Sequence, residues 1–261
     1  MQKEEYTGLR EATADTIIID FPMRGDGWTA VLYPAHKVPS HGNHSVAQTY
    51  AYDFAKVDWD RLFLSTRFWT RKSSLSYWLT SAKPSDFYTW AESVFAPCDG
   101  AIVTASDGWP DHDHWYPLID SAIALCAKTN SRIKDYVLRR QKRRLWRDGT
   151  PSPEDYRCMA GNYIILKSAS FFVFFAHLQA NSLRVASGDH VERGQHLANL
   201  GNSGTSGGPH LHFQLMDSAD LFTAKGLPCA FTIYESLVDG SWRTITNGIP
   251  GRYERIRLPD V

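Results

Sequence analysis

Nowhere does the sequence hold an apolar run approaching the ~20 residues that a membrane-spanning helix needs, so no membrane span is expected. It has no excess of charge either. Lys plus Arg number 28 and Asp plus Glu 28, which gives no electrostatic reason to expect nucleic acid or a membrane surface as partner. Cysteine is scarce: Cys98, Cys126, Cys158 and Cys229 are the four in 261 residues. None has CxxC or CxH spacing, which excludes a zinc knuckle and leaves buried free thiols as the expectation. The N-terminal MQKEEYTGLREATADTIIID lacks an apolar stretch of signal-peptide length. The chain as given is therefore expected to be soluble, either cytoplasmic or parted from a leader.

What is present is an ordinary globular composition, 43% hydrophobic and 21% charged, enough for one large domain or one domain with an elaboration. Short runs rich in Ile, Val, Tyr and Phe recur at 16–21, 28–33, 49–54, 101–105, 162–167, 171–177 and 210–215, each bounded by Gly, Pro, Asn or Asp. Ser187 to Gln195 reads as two tight turns around a very short strand. This pattern predicts a mainly β, antiparallel domain with many corners. Two stretches depart from it. From about Pro117 to Arg147 the apolar period turns helical, with Ile119, Ile123, Cys126, Ile133 and Val137 at steps of three, four or seven. The second half of that stretch is strongly basic (Arg139, Arg140, Arg143, Arg144 among others), as suits a solvated amphipathic insertion, or a surface for anionic polymers or a lid. Asp60 to Trp90 reads as a long decorating loop.

The chemistry concentrates in Gly201-Asn202-Ser203-Gly204 and the strand that opens His210-Leu211-His212. Residues i and i+2 of a strand share a face, so His210 and His212 project together while Leu211 and Phe213 face the core. Two adjacent imidazoles suit a metal ligand beside a proton-handling base, although an HxH pair also arises by accident on a surface strand. His177 closes the very apolar run Phe171–Ala176, where a satisfied core histidine is the plainer reading. Asp53 interrupts the hydrophobic Tyr50-Ala51-Tyr52-Asp53-Phe54, and a carboxylate there is costly unless it is paired or bound to a cation. His190 and His196 read as surface residues of the turn segment. His112 and His114 read as part of an exposed polar loop, and His36 has no constellation around it.

In order along the chain, HG…YAYDF, VFAPCDGAIV, GNYIILK, FFAHLQ and VASGDHVERGQHLANLGNSGTSGGPHLHFQL resemble the lysostaphin-type (LytM-like) zinc endopeptidases, peptidoglycan hydrolases, over roughly residues 38–235. The resemblance implies an antiparallel β-sandwich or barrel-sandwich hybrid (a duplicated hybrid motif). Residues 38–235 would form the zinc peptidase domain, with the helical insertion at about 115–150, N-terminal strands (1–37) packed on the core and a C-terminal extension (236–261). It implies one Zn2+ per chain, held by His41, Asp53 and His212, with His177 and His210 as the catalytic pair. His44 is the alternative to His41: they lie nine and twelve residues before Asp53, farther than the family's usual spacing. The implied activity is zinc-dependent cleavage of peptide bonds, in peptidoglycan cross-links or stem peptides, in a cell-envelope or secreted setting. The alternative is a metal-free, inactive scaffold that regulates another wall hydrolase. Segments 94–103 and 185–200 also resemble the halves of a biotinyl or lipoyl carrier barrel, but no lysine dipeptide marks a hairpin tip there.

Overall fold

In the computed structural model, residues 11–63, 66–114, 156–251 and 254–258 are described. The expected helical insertion at about 115–150 lies outside them. In the first half run strands β1 (Ile17–Ile19), β2 (Gly25–Leu32), β3 (Tyr52–Lys56), β4 (Asp58–Phe63), β5 (Thr66–Phe68), β6 (Ser93–Phe95) and β7 (Gly100–Ser106). In the second half are β8 (Asn162–Lys167), β9 (Phe172–Leu178), β10 (His190–Val191), β11 (His196–Asn199) and β12 (Leu211–Met216). They are followed by β13 (Gly226–Leu227), β14 (Cys229–Val238), β15 (Ser241–Gly248) and β16 (Ile256–Leu258). Two short helices, α1 (Ser74–Leu79) and α2 (Arg157–Ala160), complete the described elements with a few 3-10 turns.

The protein is mainly β, as its sequence predicts. One large sheet has the order β1-β14-β16-β2-β3-β12-β9-β8-β7-β10, with β13 beside β12 and β15 beside β14. Its pairings are antiparallel apart from β1 with β14. The first and last described strands, β1 and β16, thereby lie in the same sheet as the central ones. β6 pairs with β11, and β4 with β5, as separate ribbons.

Alternation on the central strands decides where the core lies. On β12, Leu211, Phe213 and Leu215 are buried with Val173 and Phe175 of β9, Phe54 of β3 and Trp28 of β2. Val94, Leu197 and Ala198 of the β6–β11 ribbon join the same core. The opposite face of β9 and β12 carries a smaller cluster that includes Phe174, Ala176, Met216 and Leu221. His212 and Gln214 alternate with the core residues, so they fall on this second face.

The expected strand at 49–54 starts only at Tyr52. Residues 45–50 form a 3-10 turn, and Val46 and Ala47 take left-handed backbone (φ 51° and 61°), which a strand cannot accommodate. The expected loop at 60–90 contains most of the β4–β5 hairpin and α1, whose N-terminus is capped by Ser73 accepting from the Ser76 amide. The segment 187–195 does form tight turns around β10. Cys98, Cys158 and Cys229 are free thiols, only Cys229 fully buried, and Cys126 falls outside the described residues. No helix among the described residues is long and apolar enough to cross a membrane.

Candidate metal centre

The register of three neighbouring strands assembles the site. His212 of β12 is directly opposite Asp53 of β3 on one side and Ala176 of β9 on the other. Directly opposed residues in antiparallel strands have Cβ atoms about 4.5–5.5 Å apart, so His212 and Asp53 meet because of the pairing itself. His212 Nδ1 lies 3.0 Å from Asp53 Oδ1. His41, delivered by the loop before β3, brings its Nε2 to 3.2 Å from the same oxygen. His210 Nε2 lies 3.7 Å from it. Ligating atoms of His41, Asp53 and His212 all fall within 4.8 Å of one another.

His177 joins them through its backbone. It has φ 62°, and this left-handed residue at the end of β9 breaks the alternation of the strand. Ala176 and His177 consequently line the same cleft, while Leu178 returns to the core. Such a backbone costs on the order of 1–3 kcal/mol in a non-glycine residue and persists only where its surroundings hold it. The His177 and His210 rings are 4.7 Å apart. His44 is exposed, its Nδ1 paired with the Thr49 hydroxyl at 3.0 Å, and it stands outside the three-residue group. His36, His112, His114, His190 and His196 are not in that group either.

Hydrogen bonds on the far side of each ring fix which nitrogen is free. Ser40 Oγ donates to the Gln48 carbonyl, so it accepts from His41 Nδ1–H at 3.0 Å. His177 Nδ1–H donates to the Ser203 carbonyl at 2.9 Å, and His210 Nδ1–H to the Gly208 carbonyl at 2.7 Å. Gln214 Nε2 donates to the Val46 carbonyl, which turns its Oε1 toward His212 Nε2–H at 3.0 Å. What faces inward is Nε2 of His41, His177 and His210, Nδ1 of His212, and the Asp53 carboxylate.

His41 Nε2 is the telling atom. It is buried and makes no hydrogen bond, although Asp53 Oδ1 lies 3.2 Å away. Two close electron donors with no proton aligned between them fit a shared cation, and distal nitrogens anchored in this way are the usual support of metal-ligating histidines. The two-imidazole, one-carboxylate set matches the N/O preference of zinc and leaves room for a further ligand.

The electrostatics agree. Burial disfavours the Asp53 carboxylate, but His210, His212 and His41 outweigh it and hold Asp53 well below the usual carboxylate range. Burial also pulls His212 down, yet Asp53 and Gln214 reverse this and leave its ring easier to protonate than usual. A cation arriving at Nδ1 would thus displace a proton. Burial, then the neighbouring His210 and His212, push His177 well below the usual histidine range, so it stands neutral.

The support around Ser203 was not legible as a site. Asn162 of β8 donates its amide N–H to Ser203 Oγ, and that hydroxyl donates to the Leu178 carbonyl. Asp111 accepts from the Asn202 and Ala180 amides, and His112 Nε2 lies 2.7 Å from the Gly204 carbonyl. Of the 111–114 stretch, read from sequence as an exposed polar loop, Asp113 and His114 are exposed, whereas Asp111 and His112 are half-buried and strap the GNSG loop. Gln214 was missed as well, although its place two residues after His212 puts it on the same strand face.

Fold and site together define a β protein similar to the lysostaphin-type zinc metallopeptidases, as the motifs had suggested. Residues 147–223 match the family described as Peptidase family M23. The chain is 30% identical over 70 residues to the peptidoglycan DD-endopeptidase ShyC of Vibrio cholerae serotype O1, a match covering 26% of this chain and 16% of that protein. Among solved structures it is similar to the catalytic domain of lysostaphin from Staphylococcus simulans, at 21% identity and a TM-score of 0.30, over 56% of this chain and 79% of that one. It is also similar to pseudoalterin, a deep-sea M23 metalloprotease, at 14% identity and a TM-score of 0.39, over 90% and 99% of the respective chains.

Proposed function

We propose that this protein is a zinc-dependent endopeptidase acting on peptide bonds of peptidoglycan. The observation that carries the reading is the convergence of potential ligand atoms from His41, Asp53 and His212 within 4.8 Å of one another, with His177 and His210 beside them. The match to Peptidase family M23 and the likeness to a peptidoglycan DD-endopeptidase support the substrate class. In this reading residues 38–235 are the peptidase domain, and His41, Asp53 and His212 hold one zinc ion.

Held by His41, Asp53 and His212, zinc would lower the pKa of water towards about 7 and polarise a peptide carbonyl. The chain's own residues handle protons and position. His177, neutral and anchored through Nδ1–H to the Ser203 carbonyl, keeps Nε2 free to accept a proton. His210, anchored to the Gly208 carbonyl, offers a second Nε2 that stabilises the developing oxyanion or protonates the departing amine when it carries the proton. All five polar positions are filled by competent side chains, so nothing favours the inactive-scaffold alternative.

The test is digestion of purified peptidoglycan by the zinc-loaded chain, with mass analysis of the ends produced. Expected are new amine and carboxyl termini in equal amounts, abolished by a chelator and restored by zinc. Intact peptidoglycan after treatment with protein holding one zinc would overturn the substrate assignment.

A further inference from the structure

Beside the metal centre a cleft of about 330 Å³ opens on the same sheet face, within the size range of ligand sites. Among the described residues its ionisable lining groups are those of the centre itself, His41, Asp53, His177, His210 and His212. The rest of the described lining is uncharged, and six residues of it are apolar: Val46, Met159, Ala160, Phe174, Ala176 and Leu221. The remaining polar side chains are already engaged. Thr205 donates its hydroxyl to the Cys158 carbonyl, Gln48 donates to Asn43, and the Gln214 amide is held between His212 and Val46. Away from the five residues of the centre, the described lining of the cleft therefore presents an apolar surface with little free hydrogen-bonding capacity.

Its distance from the chemistry is set by strand register. Ala176 is directly opposite His212, and Phe174 directly opposite Gln214. The apolar floor thus begins one cross-strand step, about 5 Å, from a proposed ligand. Successive residues of an extended peptide advance about 3.3 Å, so the side chain that reaches this floor belongs to a residue adjoining the scissile bond. Ala176 gives the floor its depth, since a longer side chain there would project into the cleft. Met159, 36% exposed, stands at its open side.

We infer that this cleft is a specificity pocket for an uncharged aliphatic side chain flanking the cleaved bond, so that the enzyme selects an alanyl or larger aliphatic residue over glycine there. The inference rests on the peptidase reading and deepens it. Glycine would leave the apolar walls wet, and a charged side chain lying against those walls would lose its hydration with no partner on them. One methylene-sized group in a hydrophobic pocket is worth about 10–200-fold in kcat/KM. The selection is therefore expected to be at least about tenfold.

The experiment uses the zinc-loaded full chain and a set of synthetic peptides. Each residue flanking the bond is in turn glycine, alanine of either hand, leucine or aspartate. At one of the two positions, kcat/KM for alanyl or leucyl peptides is expected to exceed that for glycyl and aspartyl ones by at least about tenfold. In Ala176→Leu the alanyl-to-glycyl ratio is expected to fall about tenfold or more. Met159→Lys, at the exposed side, is expected to lower the same ratio should Ala176→Leu fail to fold, and a ratio does not depend on the fraction of active protein. Equal cleavage of glycyl and alanyl peptides at both positions would overturn the pocket and leave the peptidase reading standing. If protein that binds one zinc cleaves neither these peptides nor peptidoglycan, the peptidase reading fails and the pocket assignment falls with it.

Discussion

Gln214 Oε1 accepts from His212 Nε2–H at 3.0 Å while its amide nitrogen holds the Val46 carbonyl, so a side chain two residues along β12 decides which nitrogen of His212 faces Asp53. Removing that acceptor frees the ring to turn or to change tautomer. Gln214→Leu is expected to weaken zinc binding by about 10–100-fold, the usual effect of losing a ligand's outer partner. Gln214→Glu keeps an acceptor and is expected to bind zinc more tightly than Gln214→Leu. Competition titration against a chromogenic chelator measures both, and equal affinities in the two variants would remove Gln214 from this role.

Asp111 acts at one further remove. Its carboxylate takes the amides of Asn202 and Ala180, and the loop so pinned presents the Ser203 carbonyl to His177. Asp111→Ala leaves two part-buried donors without their partner, at a cost of about 1–3 kcal/mol. The expected outcome is a lower Tm and a fall in kcat, with zinc affinity close to that of the parent because no ligand touches the strap. A matching loss of zinc affinity would show instead that the strap holds the ligands.

A third expectation concerns two glycines packed backbone to backbone. Gly161 has φ 67°, and a Cβ there would lie 2.2 Å from Ser203 Oγ and 2.4 Å from the Ser203 carbonyl carbon. A Cβ on Gly204 would lie 2.3 Å from Gly161 N. Neither neighbour is a flexible tip, so the loop must move. Gly161→Ala is expected to lower stability by about 1–3 kcal/mol, which is several degrees of Tm for a chain of this size. Thermal unfolding checks it, and an unchanged Tm would mean that the loop relaxes at no cost.

These residues also show what could be read in advance. The HxH strand was legible because alternation is local: Leu211 and Phe213 announce the core face, and His212 must then face away. Most of the strands were legible for the same reason. The pairing of His212 with Asp53 was not, because register between strands 159 residues apart is a property of the whole sheet. Asp111 and His112 looked like exposed loop residues because their partners lie about 90 residues away. The positive φ of Val46, Ala47 and His177 carries no glycine to betray it, and each bends the chain where the site needs it. Of the two candidate first ligands, His44 lies nearer Asp53 in sequence, yet the turn at 45–50 leaves it in solvent and brings His41 inward.

The most direct measurement is zinc stoichiometry across single variants of the proposed ligands, by elemental analysis of folded, dialysed protein. Expected is one zinc per chain for the parent, for His44→Ala and for His177→Ala, and near none for His41→Ala, Asp53→Ala and His212→Ala. Full occupancy in Asp53→Ala, or loss of zinc in His44→Ala with His41→Ala still loaded, would contradict the assigned centre.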